Sequence, residues 1–550
     1  MAGGLLNLVS GGTQSEILYG NPQKTYWTSA YKQITNFGIQ NFRLDYEGQR
    51  KIQLTTDSVY TFKVRRYAEL LTSTFFVMDL PDIYSPIYTK TVTIEGVEEI
   101  QYNPYEFRWI KNIGAMAIRN IKFMIGGSLI QTMSGEDIVA LANRDLTKTT
   151  KAKWDEMIGN VPDLYDPAST HGNIYPSAAY YTPIGPPWPP GAEPSIRGRQ
   201  LRVPLPIWWG MNSQQAFPLV CLQYNELTIE VTLRPISELY QICDIISGTT
   251  DRIAPNMVTL EHQFNRFLNA PTADGVFPPN TSWYENIHLS CNYVFLSDDE
   301  SALFASRPQT YLIRELHDHR FHDLNTSDKV WLQNSSGLVT SWMMLFQRSD
   351  VATRNEWSNY TNWPYSYLPV DVQAYNVNNN SLNPERDISA YDPLNRQIFV
   401  TGERRPENVK EILIQMGIVV DGVIREELKP SSVYTYEQQF LTIQGEGHRS
   451  LPGLNCYHFC LTTDPFQLQP SGAMNLSKYS KIELEFVTHS PMLNPLADYK
   501  VICDSITGEQ IGTIKDAPKM LLYYYNLLVI EERYNVLRFM SGNAGLMNAR

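Results

Sequence analysis

No run of apolar residues in this sequence is long enough to cross a bilayer. The longest largely apolar stretch, residues 520–530, is interrupted by Asn526 and reaches only about half of the ~20 residues that a spanning helix needs. The chain is therefore expected not to be embedded in a membrane. It also lacks a basic surplus: 45 Lys and Arg face 57 Asp and Glu, a formal net charge of −12, with no long basic run. A face that wraps phosphates needs the opposite balance, so direct nucleic-acid binding is disfavoured. Six cysteines, at 221, 243, 291, 456, 460 and 503, include no C-x-x-C pair and read as free buried thiols of a reducing cytoplasm. Residues 1–12 have no basic n-region, so no secretory signal is expected. Ala2 stands where N-myristoylation requires glycine. There is no Walker-A loop, no HExxH and no GxSxG elbow. Paired carboxylates for glycoside hydrolysis need no fixed spacing, and the sequence does not exclude them.

Aromatic residues are plentiful, at 12% with 33 Tyr and 11 Trp, and suit broad β surfaces and large contact faces. With 550 residues, 43% hydrophobic and 19% charged, the chain is globular and long enough for more than one core. Residues 1–24 are Gly- and Ser-rich with one apolar patch (Leu5, Leu6, Leu8, Val9) and read as a docking arm. Strand patterns follow at about 59–67 and 72–80, then a hairpin over 118–132 turning at Gly126-Gly127. Residues 135–154 read as a helix opening at Ser134, with Glu136 and Asp137 in its first turn. Residues 161–200 are dominated by Pro and Tyr and read as a long loop insertion. Strands return at 201–209 and 219–233. Residues 236–282 read as a connector ending in PTADGVFPPNTS, where a domain boundary is placed.

Beyond it the order repeats. TSWMMLFQRS at 340–349 echoes TSTFFVMDLP at 72–81. ILIQMGIVVDGVIRE at 412–426 repeats the hairpin, with Asp421-Gly422 at the turn, and the strand–loop–strand over 456–487 has the spacing of 203–233. A second insertion, 351–408, is rich in Asn, Pro and Tyr and reads as too polar and broken for a core. The economical reading is a duplicated all-β unit. It gives an arm 1–24, a first unit 25–235, a connector 236–282, a second unit 283–540 and a tail 541–550.

Several stretches carry a resemblance. Gln469-Pro470-Ser471-Gly472 with Asn475 and Ser477 resembles the QPSG-x-x-N-x-S signature of the major capsid proteins of nucleocytoplasmic large DNA viruses and their algal-virus relatives. Gly20-Asn21-Pro22-Gln23 with Thr25 and Thr35-Asn36-Phe37 resembles the same family's N-terminal signature. So do the hairpin at Gly126-Gly127 (Ser128 replacing Gln), the LQYNE segment (Asn225 replacing His) and the ending YNVLRFMSGNAGL. The resemblance implies two consecutive eight-stranded jelly-roll sandwiches with long loop insertions. It implies a structural major capsid protein whose homotrimers form pseudo-hexagonal capsomers and tile an icosahedral shell in contact with neighbouring trimers. It further implies minor capsid proteins on the inner face, a place in the virion, and assembly in the host cytoplasm. The alternatives are a minor capsid or spike paralogue of that fold, or a cytoplasmic carbohydrate-binding or glycosidase β-sandwich.

Candidate chemistry is sparse. His317 and His319 would share a strand face near His322, and two imidazoles at that spacing can bind zinc, but no Cys or carboxylate pattern completes a site. Cys456, His458 and Cys460 would share another face without a fourth ligand, and a packed interior face is the simpler reading. Ser297-Asp298-Asp299-Glu300 suits the start of a helix rather than a calcium loop. N-x-S/T sequons at Asn280, Asn325, Asn334, Asn359, Asn379 and Asn475 are expected to be poor guides to glycosylation. No catalytic, cofactor-binding or metal-ligating residue is assigned, and no cofactor is expected.

Overall fold

Alternation decides where strands form. LTIEVTL at Leu227–Leu233 and IELEFVT at Ile482–Thr488 each bury every second side chain, as half-buried strands must. The computed structural model describes residues 2–48, 51–85, 89–94, 97–102, 105–172, 174–176, 193–244, 252–268, 283–366, 372–375, 398–401, 409–494, 497, 499–505, 507–515 and 520–548. Eight strands build a first sandwich: β1 (Phe37–Leu44), β2 (Ser58–Lys63), β3 (Leu70–Leu80), β4 (Ile118–Ile125), β5 (Ser128–Met133), β6 (Arg199–Pro204), β7 (Leu227–Leu233) and β8 (His288–Leu296). One sheet runs β1-β8-β3 with β6 beside β3; the other runs β2-β7-β4-β5. Eight more build a second: β9 (Gln309–Leu324), β10 (Ser327–Trp331), β11 (Leu338–Arg348), β12 (Leu413–Val420), β13 (Val423–Pro430), β14 (Leu454–His458), β15 (Ile482–Thr488) and β16 (Tyr525–Met540). Its sheets run β9-β16-β11-β14 and β10-β15-β12-β13.

Each strand of the second sandwich thus has the neighbours of the strand eight places earlier. The fold is a double jelly roll. The echoes in the sequence fall on matched strands: 72–81 and 340–349 on β3 and β11, and the two hairpins on β4-β5 and β12-β13. Both hairpins turn through two residues of positive φ, Gly126 and Gly127 (56° and 82°) and Asp421 and Gly422 (48° and 80°). That geometry matches the twist of the strands they join.

Five expectations need correction. The strand β8, expected in the second unit, is hydrogen-bonded antiparallel between β1 and β3. Without it the first sandwich would lack the strand that joins those two, so strand pairing puts the changeover at helix Asp298–Ser306 and not at residue 282. The helix over 135–154 is two helices, α1 (Gly135–Asp145) and α2 (Lys148–Ile158), because Leu146 and Thr147 are extended. The opening of α1 is as read: Ser134 Oγ accepts from Asp137 N at 3.2 Å, and Asp137 Oδ2 accepts from Ser134 N at 2.7 Å. The tail expected at 541–550 is partly a strand, Asn543–Leu546, paired back on β16.

The fourth correction concerns the loops. Residues 351–366 belong to the second insertion yet bury Val351, Asn355, Asn359, Tyr360, Asn362 and Tyr365. Asn355 donates to carbonyls of the first sandwich's loops, Tyr365 bonds to the Arg252 backbone, Asn359 donates within its own segment and Asn362 accepts from the hydroxyls of Tyr523 and Tyr525, so a polar composition did not mean exposure. Residues 367–371, 376–397 and 402–408 lie outside the described residues, as does 177–192 of the first insertion. Residues 2–36 form no strand and carry almost no burial, so the arm runs past residue 24 to the start of β1.

Candidate functional site: the junction between the sandwiches

In a lone sandwich the outer face of a sheet is polar. Here β11, LVTSWMMLFQR, is buried along almost its whole length. Trp342, Met344 and Phe346 point into the second sandwich's own core. Met343 and Leu345, with Ile313, Leu454, Cys456, Leu528 and Ile530, point the other way and join the core of the first sandwich. The sheet β9-β16-β11-β14 is therefore dry on both faces, which fixes the two sandwiches against each other.

An ion network is sealed into this contact. Arg144, in the last turn of α1, is fully buried. Its Nε and Nη2 donate to the Asp145 carboxylate at 2.7 and 2.8 Å, and its Nη1 donates to Glu532 Oε2 at 2.9 Å and to Ser341 Oγ at 2.8 Å. Arg314 lies 3.5 Å from Glu532 and donates to the carbonyls of Thr463 and Asp464. Thr463 Oγ1 donates to Asp145 at 3.0 Å. Burial alone would push the Glu532 carboxyl up, but Arg144 and Arg314 outweigh it and hold the group well below the usual glutamate range. Two guanidiniums and two carboxylates balance, which is the condition for burying charge at all.

The neighbouring Glu531 serves the opposite face, since successive strand residues alternate. It accepts from Trp342 Nε1 at 3.0 Å and from Ser335 Oγ, and His319 Nε2 stands 3.7 Å away. One dipeptide thus anchors the second sandwich's interior and the junction. Arg144, Glu531 and Glu532 were not singled out from the sequence. The available signal was a charged Glu531-Glu532-Arg533 triplet inside an otherwise apolar strand pattern.

A clasp closes one edge of the junction. After β16 the chain turns at Ser541 and Gly542 (φ 54° and 78°), and the Gly542 carbonyl accepts from Gln223 N at 3.1 Å and Tyr224 N at 3.2 Å. Asn225 Nδ2 donates to Asn543 Oδ1 at 3.0 Å. Asn225 also lies over Gly126, where a Cβ would come within 2.5 Å of its side chain. Three of the signatures quoted above, the Gly-Gly hairpin, LQYN and SGN, therefore meet at one place. At another edge Asn355 Nδ2 donates to the carbonyls of Ser237 and Tyr240, both at 2.8 Å, and Trp357 Nε1 donates to Glu238 O at 2.9 Å.

The QPSG signature is a brace on β11. Ser471 Oγ donates to Thr462 O and accepts from Thr462 N. Asn475 caps the turn of residues 476–478, and Ser477 Oγ accepts from Gly337 N at 2.8 Å. The metal candidates do not assemble. His317 and His319 meet edge to face, with ring centroids 4.7 Å apart. Cys456, His458 and Cys460 are buried, burial lowers the His458 imidazole to about 3, and burial pushes the Cys456 thiol up to about 12. A neutral imidazole can ligate, but a thiol that keeps its proton is a poor ligand. Among the described residues no three His, Cys, Asp or Glu side chains gather as a metal site. Asn359 is buried and donates to Trp363 O, so its sequon is inaccessible. Asn280 and Asn379 lie outside the described residues. Asp298, Asp299 and Glu300 do open a helix.

Comparison with known proteins supplies the context. A family model described as "Major capsid protein N-terminus" matches residues 25–297, ending one residue after β8. The major capsid protein of Phaeocystis pouchetii virus is 24% identical over 99% of both chains. That of Chrysochromulina ericina virus is 28% identical over 58% of this chain and 52% of its own. The Faustovirus major capsid protein superposes with a TM-score of 0.59 at 14% identity, covering 94% of this chain and 93% of that one. The chain belongs to the major capsid protein family of large DNA viruses. Members of this family are structural proteins, not enzymes, which agrees with a junction whose buried ionic groups all serve packing. The end of the family match at residue 297 also agrees with the strand pairing, which gives β8 to the first sandwich. Among the described residues no helix is long and apolar enough to cross a membrane.

Proposed function

We propose that three copies of this chain close into a ring of six sandwiches, a pseudo-hexagonal capsomer that tiles the facets of an icosahedral shell. The observation that carries this reading is the uneven cover on two equivalent sheets. The outer face of β9-β16-β11-β14 is covered by the first sandwich of the same chain. The matching face of the first sandwich is open along β1, with Phe37 and Ile39 52% and 62% exposed, and closes over β8 and β3, where Val294 and Leu70 are buried with Ala216 in a small apolar cluster. A duplicated fold with one of two equivalent faces covered invites the second sandwich of another copy onto the open one. Such a heterologous contact closes after three steps if its rotation matches that of the junction.

Residues 2–36 act as an adaptor to a minor capsid protein or a neighbouring subunit on the inner face. Support comes from an arm that leaves Leu6, Leu8, Ile17, Leu18, Trp27 and Tyr31 exposed, a cost that burial against a partner would recover. The second insertion faces outward beyond its buried first part, residues 351–366, and assembly takes place in the host cytoplasm. Antibodies to residues 375–380, of which 376–380 lie outside the described residues, should bind intact particles. Images of the purified protein test the ring: six lobes around a threefold axis are expected, and isolated two-lobed particles would overturn it. Deleting residues 2–12 should leave such rings intact and impair closed shells; normal particle yield would remove the adaptor role.

A further inference from the structure

The two hairpins of the duplicated fold each lead into a helix, and only one of these helices is covered. Directly after the first hairpin α1 enters the junction, where every residue but Glu136 is buried. Directly after the second hairpin, residues 431–442 are helical as well. They bury Tyr434, Thr435 and Gln439 but leave Tyr436, Phe440 and Leu441 58%, 88% and 67% exposed. Tyr436 and Phe440, four residues apart, are neighbours on the helix surface, with Leu441 next to them. Large apolar side chains grouped in this way mark a contact surface.

What α1 touches within the chain shows what residues 431–442 would touch in another copy. At the junction Ser341 Oγ donates to Glu532 at 3.0 Å, and Glu532 is flanked by Arg144 of α1 and Arg314 of β9. In the first sandwich, TST of β3 puts Ser73 where TSW of β11 has Ser341, and Asn292 Nδ2 donates to Ser73 Oγ at 2.6 Å. Asn292 therefore holds the place of Glu532. Strand register sets the next position: Leu316 pairs with Glu532 and Arg314 lies two residues before it, while Asn41 pairs with Asn292 and Ile39 lies two residues before it. On the helices, Arg144 is ten residues past Ser134, and Leu441 is ten residues past Ser431. The sheet thus has Asn292 and Ile39 in place of Glu532 and Arg314, and the helix has Leu441 in place of Arg144. Charge removed from one surface alone would strand its buried partner. Here it is absent from both, so the two surfaces match, and the Asn41–Asn292 amide pair (2.8 Å) is already joined within the sheet. We infer that residues 431–442 of one copy seat Phe440 and Leu441 against Ile39 and Asn292 of the next. This rests on the ring proposed above and names the segment that closes it: the contact within the subunit, repeated with apolar and amide groups in place of its ions.

Sedimentation and circular dichroism of the full-length protein test it. Leu441→Arg alters a side chain that is exposed in the single chain, so the fold should persist while the trimer is lost at micromolar concentration. Adding Asn292→Glu rebuilds between copies the pair that Arg144 and Glu532 make within one, and should restore the trimer. A misfolded single variant would not be repaired by a substitution in the other sandwich. A trimer undisturbed by Leu441→Arg, or a double variant that stays monomeric, overturns this contact while the ring stands. A monomeric unaltered protein overturns the ring, and the contact with it.

Discussion

The sheet β9-β16-β11-β14 and the sheet β1-β8-β3-β6 have one topology and opposite surroundings. The first is dry on both faces, and β16 runs sixteen residues with twelve of them buried. In the second, β1 is exposed from Phe37 to Asn41 and at Arg43, and only Leu44 is buried. The difference lies in what each must touch. β16 carries Glu531 and Glu532 to two interiors at once, so both of its faces need partners of matched charge and shape. β1 presents Phe37, Ile39, Asn41 and Arg43 on a face that the chain itself leaves open. In the proposed ring, the covered strand marks the contact made within the subunit and the open one the contact left for the next.

The largest effect is expected from opening the covered face. Arg144→Met leaves Glu532 and Asp145 buried without their shared cation and should cost about 3–5 kcal/mol, read as a lower denaturation midpoint. Adding Glu532→Gln should recover part of it, because the stranded charge is the main penalty. Gly542→Ala is next: its φ of 78° and a Cβ that would sit 2.7 Å from the Tyr224 ring should cost about 1–3 kcal/mol at the clasp. Acid should act on the same face. The folded pKa of Glu532 lies below the unfolded value of about 4.3. Its contribution is therefore fully present above that value and is lost as the pH falls through the folded one. Stability measured from pH 6 downward should fall below about pH 4, and less steeply in Glu532→Gln. The smallest effect is Asn225→Ala, about 1 kcal/mol for its hydrogen bond to Asn543.

Much of this architecture was legible in the residues. The alternation in β7 and β15 and the Gly-Gly and Asp-Gly turns are local signals, and they marked both sandwiches and their repeat. The family signatures were also readable as words, but not their purpose: Gly126, Asn225 and Gly542 are far apart in sequence and meet only once both sandwiches exist. β8 was misplaced because periodicity identifies a strand without naming its partners, and its partners β1 and β3 lie more than 200 residues upstream. The Arg144–Glu532 pair spans 388 residues, and nothing local distinguishes a buried arginine at a helix end from a solvated one. Residues 351–366 misled for the same reason, since Asn355 and Tyr365 bond to backbone more than 100 residues upstream and Asn362 accepts from Tyr523 and Tyr525 far downstream.

The central claim is that the open face of β1 is the counterpart, between subunits, of the covered face within them. Sedimentation of the unaltered protein and of Ile39→Asp tests it most directly. The substituted side chain is 62% exposed in the single chain, so the fold should persist with unchanged circular dichroism. The unaltered protein should sediment as one species of three times 63.0 kDa, and Ile39→Asp as a folded monomer. A trimer undisturbed by Ile39→Asp, or a stable monomer of the unaltered chain at micromolar concentration, would contradict the account.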